Sequence, residues 1–220
     1  MSDVKGLMTG KRGLIMGVAN DRSIAWGIAK AVAAQGGELA FTYQGEALER
    51  RVKPLAASIG ADIVVPCDVT DDASIDATFA TLKQRWGSLD FVVHAIAFSD
   101  KEELKGKYVD TSRGNFARTL DISCFSFAAV ANRAKDMMPN GGSLVTLTYL
   151  GAERVMPGQH MLVDAVHQGA VEIEQEGGLR DIGHERGAPG RGRGEGGLRG
   201  LFERDFSYLS RGISPDTLLS

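Results

Sequence analysis

The sequence predicts an α/β fold, a doubly wound parallel sheet with helices on both faces. Five short apolar runs are bounded by turn residues, and helical patterns lie between them. Strands that are apolar almost throughout are typical of parallel sheets covered by helices. A length of 220 residues, 43% of them hydrophobic, suits one such domain. The predicted strands are Gly13–Val18, Glu38–Thr42, Asp62–Val65, Leu89–Ile96 and Ser143–Thr148.

The segments between these runs carry the helical period. After the first strand, Ile24, Ile28 and Val32 recur at i, i+4 and i+8, each followed by alanine. This spacing predicts a helix with one small apolar face against the sheet. The pattern that opens at Thr70 predicts another helix, and a longer one is predicted over residues 112–137.

Composition excludes several classes of protein. The formal net charge of -3 gives no reason to expect nucleic acid or membrane binding. No run approaches the roughly 18 consecutive apolar residues of a spanning helix, and the first residues lack the pattern of a leader peptide. We therefore expect a cytoplasmic protein. Cys67 and Cys124 have the spacing neither of a disulfide framework nor of zinc ligands, so we expect two buried thiols and no metal site.

The chain changes character after Pro157. Residues 158–220 hold 13 of the 28 glycines and no lysine, with 7 arginines and 10 acidic residues. Within them, residues 183–200 lack an apolar period and would lose backbone entropy on ordering without burying much surface. We therefore predict a folded domain over residues 1–157 and a Gly/Arg-rich, partly disordered tail over residues 158–220.

The loop after the first predicted strand is a candidate phosphate-binding turn. It runs from Gly17 to Ser23 without following the G-x-G-x-x-G pattern. Gly17 allows a tight turn, and Ser23 can cap the helix and offer its hydroxyl to a pyrophosphate at the positive helix end. A capped turn without a ligand explains these residues equally well. Asp68-Val69 and Ile96-Ala97-Phe98 follow the third and fourth strands, so three loops converge at one sheet edge, as a dinucleotide requires.

The segments around these loops resemble one enzyme family. They read, in order, GKRGLIMGVANDRSIAWGIA, ELAFTYQG, PCDVTDDASID, LDFVVHAIAFSDKEELKGKYVDTSR, DISCFSF and SLVTLTYLGAERVMP. Together they are similar to the bacterial NADH-dependent enoyl-acyl-carrier-protein reductases, members of the short-chain dehydrogenase/reductase superfamily. The resemblance runs with nearly unbroken spacing from Lys11 to Pro157, and we find none in the C-terminal third.

This resemblance implies a Rossmann-type sheet, of which the last two strands are not recognisable here. It also implies NADH as cofactor, an enoyl thioester on acyl carrier protein as substrate, and a homotetramer. The neutral Tyr43-Gln44 at the end of the second strand agrees with NADH, because NADP enzymes generally place a cation there. Arg50 and Arg51 are an alternative phosphate site, although a solvated helix face is the favoured interpretation. By the family motif, the cofactor-binding residues are Gly17, Ser23, Ile24, Gln44, Asp68, Val69 and Ile96, and Ser99 holds a substrate-side position.

The resemblance places the catalytic residues after the fifth strand. The family stabilises the enolate formed by hydride transfer with a tyrosine phenol, and a lysine seven residues later holds the nicotinamide ribose. Tyr149 matches an earlier, substrate-side tyrosine. The catalytic tyrosine position, ten residues on, holds Gln159, and the lysine position holds Val166. His160 and His167 are the alternative acid and cation, disfavoured because imidazole is shorter than either side chain it would replace.

Three interpretations of the function follow. The favoured one is the enoyl reductase of the family. The alternative is a non-catalytic NAD-binding protein, because glutamine cannot donate a proton at a useful pKa and valine carries no charge. A third makes Gly190–Gly200 an RNA-binding tail, disfavoured because this segment holds only three arginines and no aromatic residue. The abrupt change at Pro157 also motivates the hypothesis that the tail is translated out of frame.

Overall fold

The computed structural model of the protein describes residues 6–104, 108–148, 170–173 and 179–182. The strands are β1 Arg12–Met16, β2 Glu38–Tyr43, β3 Ile63–Pro66, β4 Phe91–His94, β5 Gly142–Thr146, β6 Ala170–Ile173 and β7 Leu179–Ile182. The α-helices are α1 Ile24–Ala34, α2 Gly45–Ser58, α3 Asp72–Trp86, α4 Arg113–Leu120 and α5 Ser126–Ala134. The strands form one sheet in the order β3-β2-β1-β4-β5-β6-β7.

The first five strands are parallel, which confirms the predicted sheet. β1 pairs with both β2 and β4, and its neighbours pair outward with β3 and β5. The register aligns Met16, His94 and Thr146, the last residues of β1, β4 and β5. Because the strand order reverses between β1 and β4, their carboxyl ends flank the crevice where such sheets bind ligands.

Two further strands extend the sheet beyond β5. β6 runs antiparallel to β5, with Val171 opposite Leu144, and β7 runs antiparallel to β6. The sequence analysis identified no strand after residue 148, because a run of four residues such as Ala170–Ile173 is too short to stand out. The described sheet is therefore mixed and does not end at its fifth strand. The proposed boundary at residue 157 stays a prediction.

Helix α1 packs the alanine side of the predicted face against the sheet. Ala25, Trp26 and Ala29 are buried, whereas Ile24 is 65% exposed. At 100° per residue, Ile24 lies roughly 150° from the centre of the face formed by those three residues. Ile28 is only partly buried against the same cluster. The predicted residues Ala25 and Ala29 therefore lie in the packed face, whereas Ile24 lies on the opposite side of the helix.

The single long helix predicted over residues 112–137 is interrupted. α4 is followed by a π turn over Asp121–Phe125, which leads directly into α5, and Lys135–Met137 form a final 3-10 turn. A π turn has the same apolar content as the α-helix around it, so periodicity alone does not reveal it. Such turns are frequent at functional sites.

The core consists of two clusters that the alternation of strand residues separates. Leu14, Val92 and Leu144 belong to one cluster, and their chain neighbours Ile15 and Val93 belong to the other. Each cluster is completed by the helices packed on that face of the sheet.

The two cysteines differ in burial. Cys67 is buried, as predicted, but Cys124 is half-buried, so the prediction of two buried thiols is wrong for the second. Cys124 lies in the π turn, whose residues do not all face the sheet. Among the described residues, no helix combines the length and the apolar character needed to cross a bilayer.

Candidate functional site

A cavity of about 840 Å³ opens at the carboxyl ends of the parallel strands. Its wall is formed by residues 17–19 after β1, 42–44 at the end of β2, 67–70 after β3 and 95–98 after β4. The three loops that the sequence predicted to converge therefore meet at one cavity. The volume lies within the range of small-molecule and cofactor sites.

Gly17 closes the crevice between β1 and β4. Its φ of 87° is a conformation that other residues rarely adopt, and a Cβ at this position would lie 2.0 Å from the carbonyl oxygen of Ala95. Only glycine satisfies both constraints. The backbone of the loop is thus exposed to the cavity, where a ligand can approach it closely.

The beginning of α1 differs from the sequence prediction. Ser23 is at the N-cap position, but its side chain does not cap the helix. Its hydroxyl instead donates to the carbonyl oxygen of Asn20 at 2.7 Å, because the loop folds back on itself and offers this acceptor. The capping prediction is therefore wrong. Ser23 and Ile24 follow the cavity-lining residues 17–19 in the sequence, but they do not line the cavity themselves.

Gln44 and Asp68 meet at the outer part of the cavity, at the ends of β2 and β3. The amide nitrogen of Gln44 donates to a carboxylate oxygen of Asp68 at 3.0 Å. The other carboxylate oxygen accepts from the backbone N–H of Thr70 at 2.9 Å and from its hydroxyl at 2.7 Å. These hydrogen bonds, those from Thr70 first, lower the pKa of Asp68. This side of the cavity therefore carries a fixed negative charge at neutral pH.

The two arginines that follow the second strand, Arg50 and Arg51, do not contribute positive charge to the cavity. Arg50 and Arg51 are exposed on α2, and Arg50 pairs with Glu46 one helical turn earlier. Neither arginine lines the cavity, so the alternative phosphate site predicted from the sequence is not formed by them. Cys67 does line the cavity, and burial raises the pKa of its thiol.

The loop after β4 forms the opposite side of the cavity. Ile96 lines the cavity and also packs against the core. Ser99 is turned to a polar cluster, in which its hydroxyl oxygen accepts from Asn115 Nδ2 at 3.3 Å and from Thr119 Oγ1 at 3.1 Å. Ser99 does not itself line the cavity, whereas Val69, which was predicted to bind the cofactor, does.

One wall of the cavity was not predicted from the sequence. Ala117 and Arg118 of α4 and Asp121 and Ile122 of the π turn line it. Arg118 is engaged with Asp100, at 3.4 Å between Nη1 and Oδ2. The only signal in the sequence was the segment DISCFSF, which carried family resemblance but no spacing that pointed to a ligand.

Five predicted positions lie outside the described residues: Tyr149, Gln159, His160, Val166 and His167. Among the residues that the structure describes, no group of three His, Cys, Asp or Glu side chains is arranged to hold a metal ion. The described part of the site thus consists of a backbone turn, a carboxylate-amide pair and an apolar wall. These groups fit a dinucleotide, which needs close backbone contact at its phosphates and hydrogen-bond partners at its ribose and adenine.

The comparisons with known proteins agree with this geometry. The family model described as Enoyl-(Acyl carrier protein) reductase matches residues 17–173 and so runs past Pro157. The Rhizobium meliloti protein named NADH enoyl-acyl-carrier-protein reductase 2 is 57% identical over 187 residues, which are 85% of this chain and 68% of that protein. The Rickettsia bellii protein named NADH enoyl-acyl-carrier-protein reductase FabI is 47% identical over 182 residues, which are 83% of this chain and 67% of that protein.

A solved structure gives the same result. The Anaplasma phagocytophilum enoyl-acyl-carrier-protein reductase, crystallised in complex with NAD, superimposes with a TM-score of 0.70 at 57% identity. The match covers 73% of this chain and 62% of that one, so the chain spans less than two thirds of that structure. On the family match and these identities together, the chain belongs to the enoyl-(acyl carrier protein) reductase family.

Proposed function

We propose that this protein is an NADH-dependent reductase of the 2,3 double bond of an enoyl thioester carried by acyl carrier protein. The observation that supports the proposal most directly is the cavity in the crevice between β1 and β4, with Gly17 at its base and the Gln44–Asp68 pair at its outer side. When bound, NADH supplies the hydride for this reaction. The protein's own residues have to bind and orient the NADH and shield the site of hydride transfer from water.

Gly17 and the first turn of α1 would hold the pyrophosphate. Because Gly17 has no side chain, the backbone can reach the phosphate oxygens, and the amides at the start of α1 carry the positive end of the helix dipole. The side chain of Ser23 does not cap these amides, so it does not compete with an anion for them.

The Gln44–Asp68 pair would bind the adenosine and select NADH over NADPH. Its amide and carboxylate can each hydrogen-bond ribose hydroxyls or adenine nitrogens. A phosphate on the ribose 2′ oxygen would meet the negative charge of Asp68, and no arginine of α2 lines the cavity to compensate. Ile96 and Ile122 would exclude water from the nicotinamide side, where hydride transfer takes place.

A second candidate function, NADH binding without reduction, is favoured by one specific observation. Gln159 and Val166 stand where the family resemblance places the proton-donating tyrosine and the lysine. The described cavity serves both functions equally, so the two differ only in turnover.

One experiment separates the two functions. The full chain and the double variant Gln159→Tyr/Val166→Lys are titrated with NADH by fluorescence and then assayed for NADH oxidation with an enoyl thioester on acyl carrier protein. We expect both proteins to bind NADH, and the reductase proposal requires oxidation by the full chain that depends on the enoyl thioester. Binding without oxidation, restored in the double variant, would establish the second candidate. Absence of NADH binding by both would refute both functions.

We extend the proposal to the assembly and location of the protein as a cytoplasmic homotetramer. Light scattering after size-exclusion chromatography measures the assembly directly, and a monomer would contradict this part. For the tail, we propose that residues 183–220, which follow the last described strand β7, do not form part of the dinucleotide-binding domain. Re-reading the coding DNA across codons 150–175 tests the frame-change hypothesis: another frame that resumes the family's tyrosine and lysine supports it, and its absence refutes it.

A further inference from the structure

A buried histidine joins the sheet to the π turn beside the cavity. His94 is the last residue of β4 and is completely buried, with 0% exposure. Its Nε2 lies 2.8 Å from the hydroxyl oxygen of Ser126, and its Nδ1 lies 3.3 Å from the hydroxyl oxygen of Thr146. The ring also contacts Phe127, with 5.5 Å between ring centroids. These contacts connect β4, β5 and α5.

The hydrogen bonds of Ser126 fix which nitrogen of His94 carries the proton. A serine hydroxyl has one proton, and Ser126 donates it to the carbonyl oxygen of Ile122 at 2.6 Å. Its oxygen must then accept the bond from His94, so Nε2 is protonated. Nδ1 is left as an acceptor for the hydroxyl of Thr146. A neutral imidazole with its proton on Nε2 is the form that satisfies all three groups.

The same hydrogen bonds reach the wall of the cavity. Ile122, whose carbonyl accepts from Ser126, is a π-turn residue that lines the cavity together with Asp121. Ser123 connects the π turn to the loop after β4 as well. Its hydroxyl accepts from the N–H of Phe98 at 3.0 Å and donates to the carbonyl oxygen of Phe98 at 3.2 Å. The position of this wall therefore depends on contacts with β4 and with the loop that follows it.

We propose that His94, as the neutral Nε2–H tautomer, is a positioning residue that fastens the π turn Asp121–Phe125 to the sheet and thereby sets the cavity wall against which the dinucleotide binds. The part that concerns the dinucleotide rests on the proposed function. The tautomer and the fastening do not depend on it.

The surroundings of the ring favour the neutral form. Its described partners from β5 and α5, namely Thr146, Ser126 and Phe127, are all uncharged. Burial lowers the pKa of His94 to about 4. The imidazole is accordingly neutral at pH 7, with its one proton on Nε2.

The tautomer is tested by ¹⁵N NMR of the histidine side chains in the full chain at pH 7. We expect one imidazole with a protonated Nε2 and an unprotonated Nδ1. In Thr146→Val the Nδ1 resonance should move to the position of a nitrogen without a hydrogen bond, while Nε2 stays protonated. An Nδ1–H tautomer or a charged ring at His94 would overturn the proposal.

The positioning role is tested by NADH titration of His94→Phe, His94→Gln and Ser126→Ala. We expect the dissociation constant for NADH to be at least tenfold higher in His94→Phe and Ser126→Ala than in the parent. In His94→Gln it should stay within threefold of the parent, because the amide can still donate to Ser126. Thr81→Ala is the matched control, because it removes the same kind of hydroxyl bond to the carbonyl four residues earlier, on α3 and away from the cavity. It should bind NADH as the parent does.

The amide resonances of Ile122 and Ser123 give a second measurement that does not need the ligand. They should shift in His94→Phe and return toward the parent in His94→Gln. Unchanged π-turn resonances together with parental NADH affinity in His94→Phe would overturn the proposal. If the parent itself does not bind NADH, the proposed function fails, and the tautomer and these resonances still decide whether the turn is fastened as inferred. Should His94→Phe fail to fold, Ser126→Ala and His94→Gln carry the same comparison.

Discussion

Acidification should destabilise the protein through His94 before its carboxylates are protonated. The pKa of this histidine is lowered from 6.5 to about 4 by burial. In the unfolded chain the ring regains water and an ordinary pKa, so the unfolded state binds more protons between these two values. Stability therefore falls as the pH falls through this window and is fully present only above pH 6.5.

The magnitude follows from the difference between the two pKa values. At about 1.36 kcal/mol per pKa unit, protonation of His94 costs roughly 3 kcal/mol of unfolding free energy at pH 4 and below, relative to neutral pH. The same relation gives a loss of about 2 kcal/mol between pH 7 and pH 5. This is a large fraction of the roughly 5–15 kcal/mol that a typical domain possesses.

Urea unfolding at several pH values between 7 and 5, followed by tryptophan fluorescence, measures this loss. Trp26 is buried against Phe41 and should report the transition. His94→Gln cannot titrate, so its stability should change by about 2 kcal/mol less than that of the parent over this range. His184→Gln is the matched control that removes another imidazole. Parallel curves for the parent and His94→Gln would refute the burial argument.

Four further substitutions test separate features of the site and of the helices around it. Gly17→Ala should abolish NADH binding and lower stability by about 1–3 kcal/mol, because its Cβ would meet Ala95 and its φ would be strained. Gly27→Ala, where a Cβ meets nothing within 4 Å, should instead stabilise α1 by about 0.5–1 kcal/mol in the same denaturation assay. Asp68→Asn should narrow the preference for NADH over NADPH by at least tenfold in competitive titration, and an unchanged ratio would contradict the charge argument. Ser112→Ala removes the N-cap of α4 and should cost about 1 kcal/mol in urea unfolding while leaving NADH affinity nearly unchanged.

The sheet was predictable because its strands are short, apolar and separated by helices. Leu14, Ile15 and Met16 are all buried, although successive residues of a strand face opposite sides of the sheet. A run without alternation of apolar and polar residues therefore indicated a strand covered on both sides. The convergence of loops at Gly17, Asp68 and Ile96 followed from that topology alone. Local patterns were sufficient to predict the sheet, because the apolar residues that are buried lie within the strands themselves.

The remaining features depend on contacts that a linear pattern does not contain. The hydroxyl of Ser23 does not cap α1, because the folded loop brings the carbonyl oxygen of Asn20 to it as an acceptor. The wall at Ile122 is set by a hydrogen bond to Ser126 and, through it, by a histidine from a distant strand. In each case the deciding partner comes from tertiary structure or from the exact path of a loop.

The interrupted helix keeps one line of residues on the sheet by adding a single residue to its length. One line of buried positions along α4, the π turn and α5 consists of Asn115, Thr119, Ser123, Ser126, Val130 and Ala134, and Ala129 is buried beside it. The chain thus advances nineteen positions from Asn115 to Ala134 over five turns, whereas a regular α-helix would advance about 18. Deleting one residue from the π turn would rotate the two halves by roughly 100° relative to each other. The two halves could then no longer face inward together, although the polar half supports the loop after β4 and the apolar half packs in the core. The length of the chain in this segment is therefore as strongly constrained as the type of its residues.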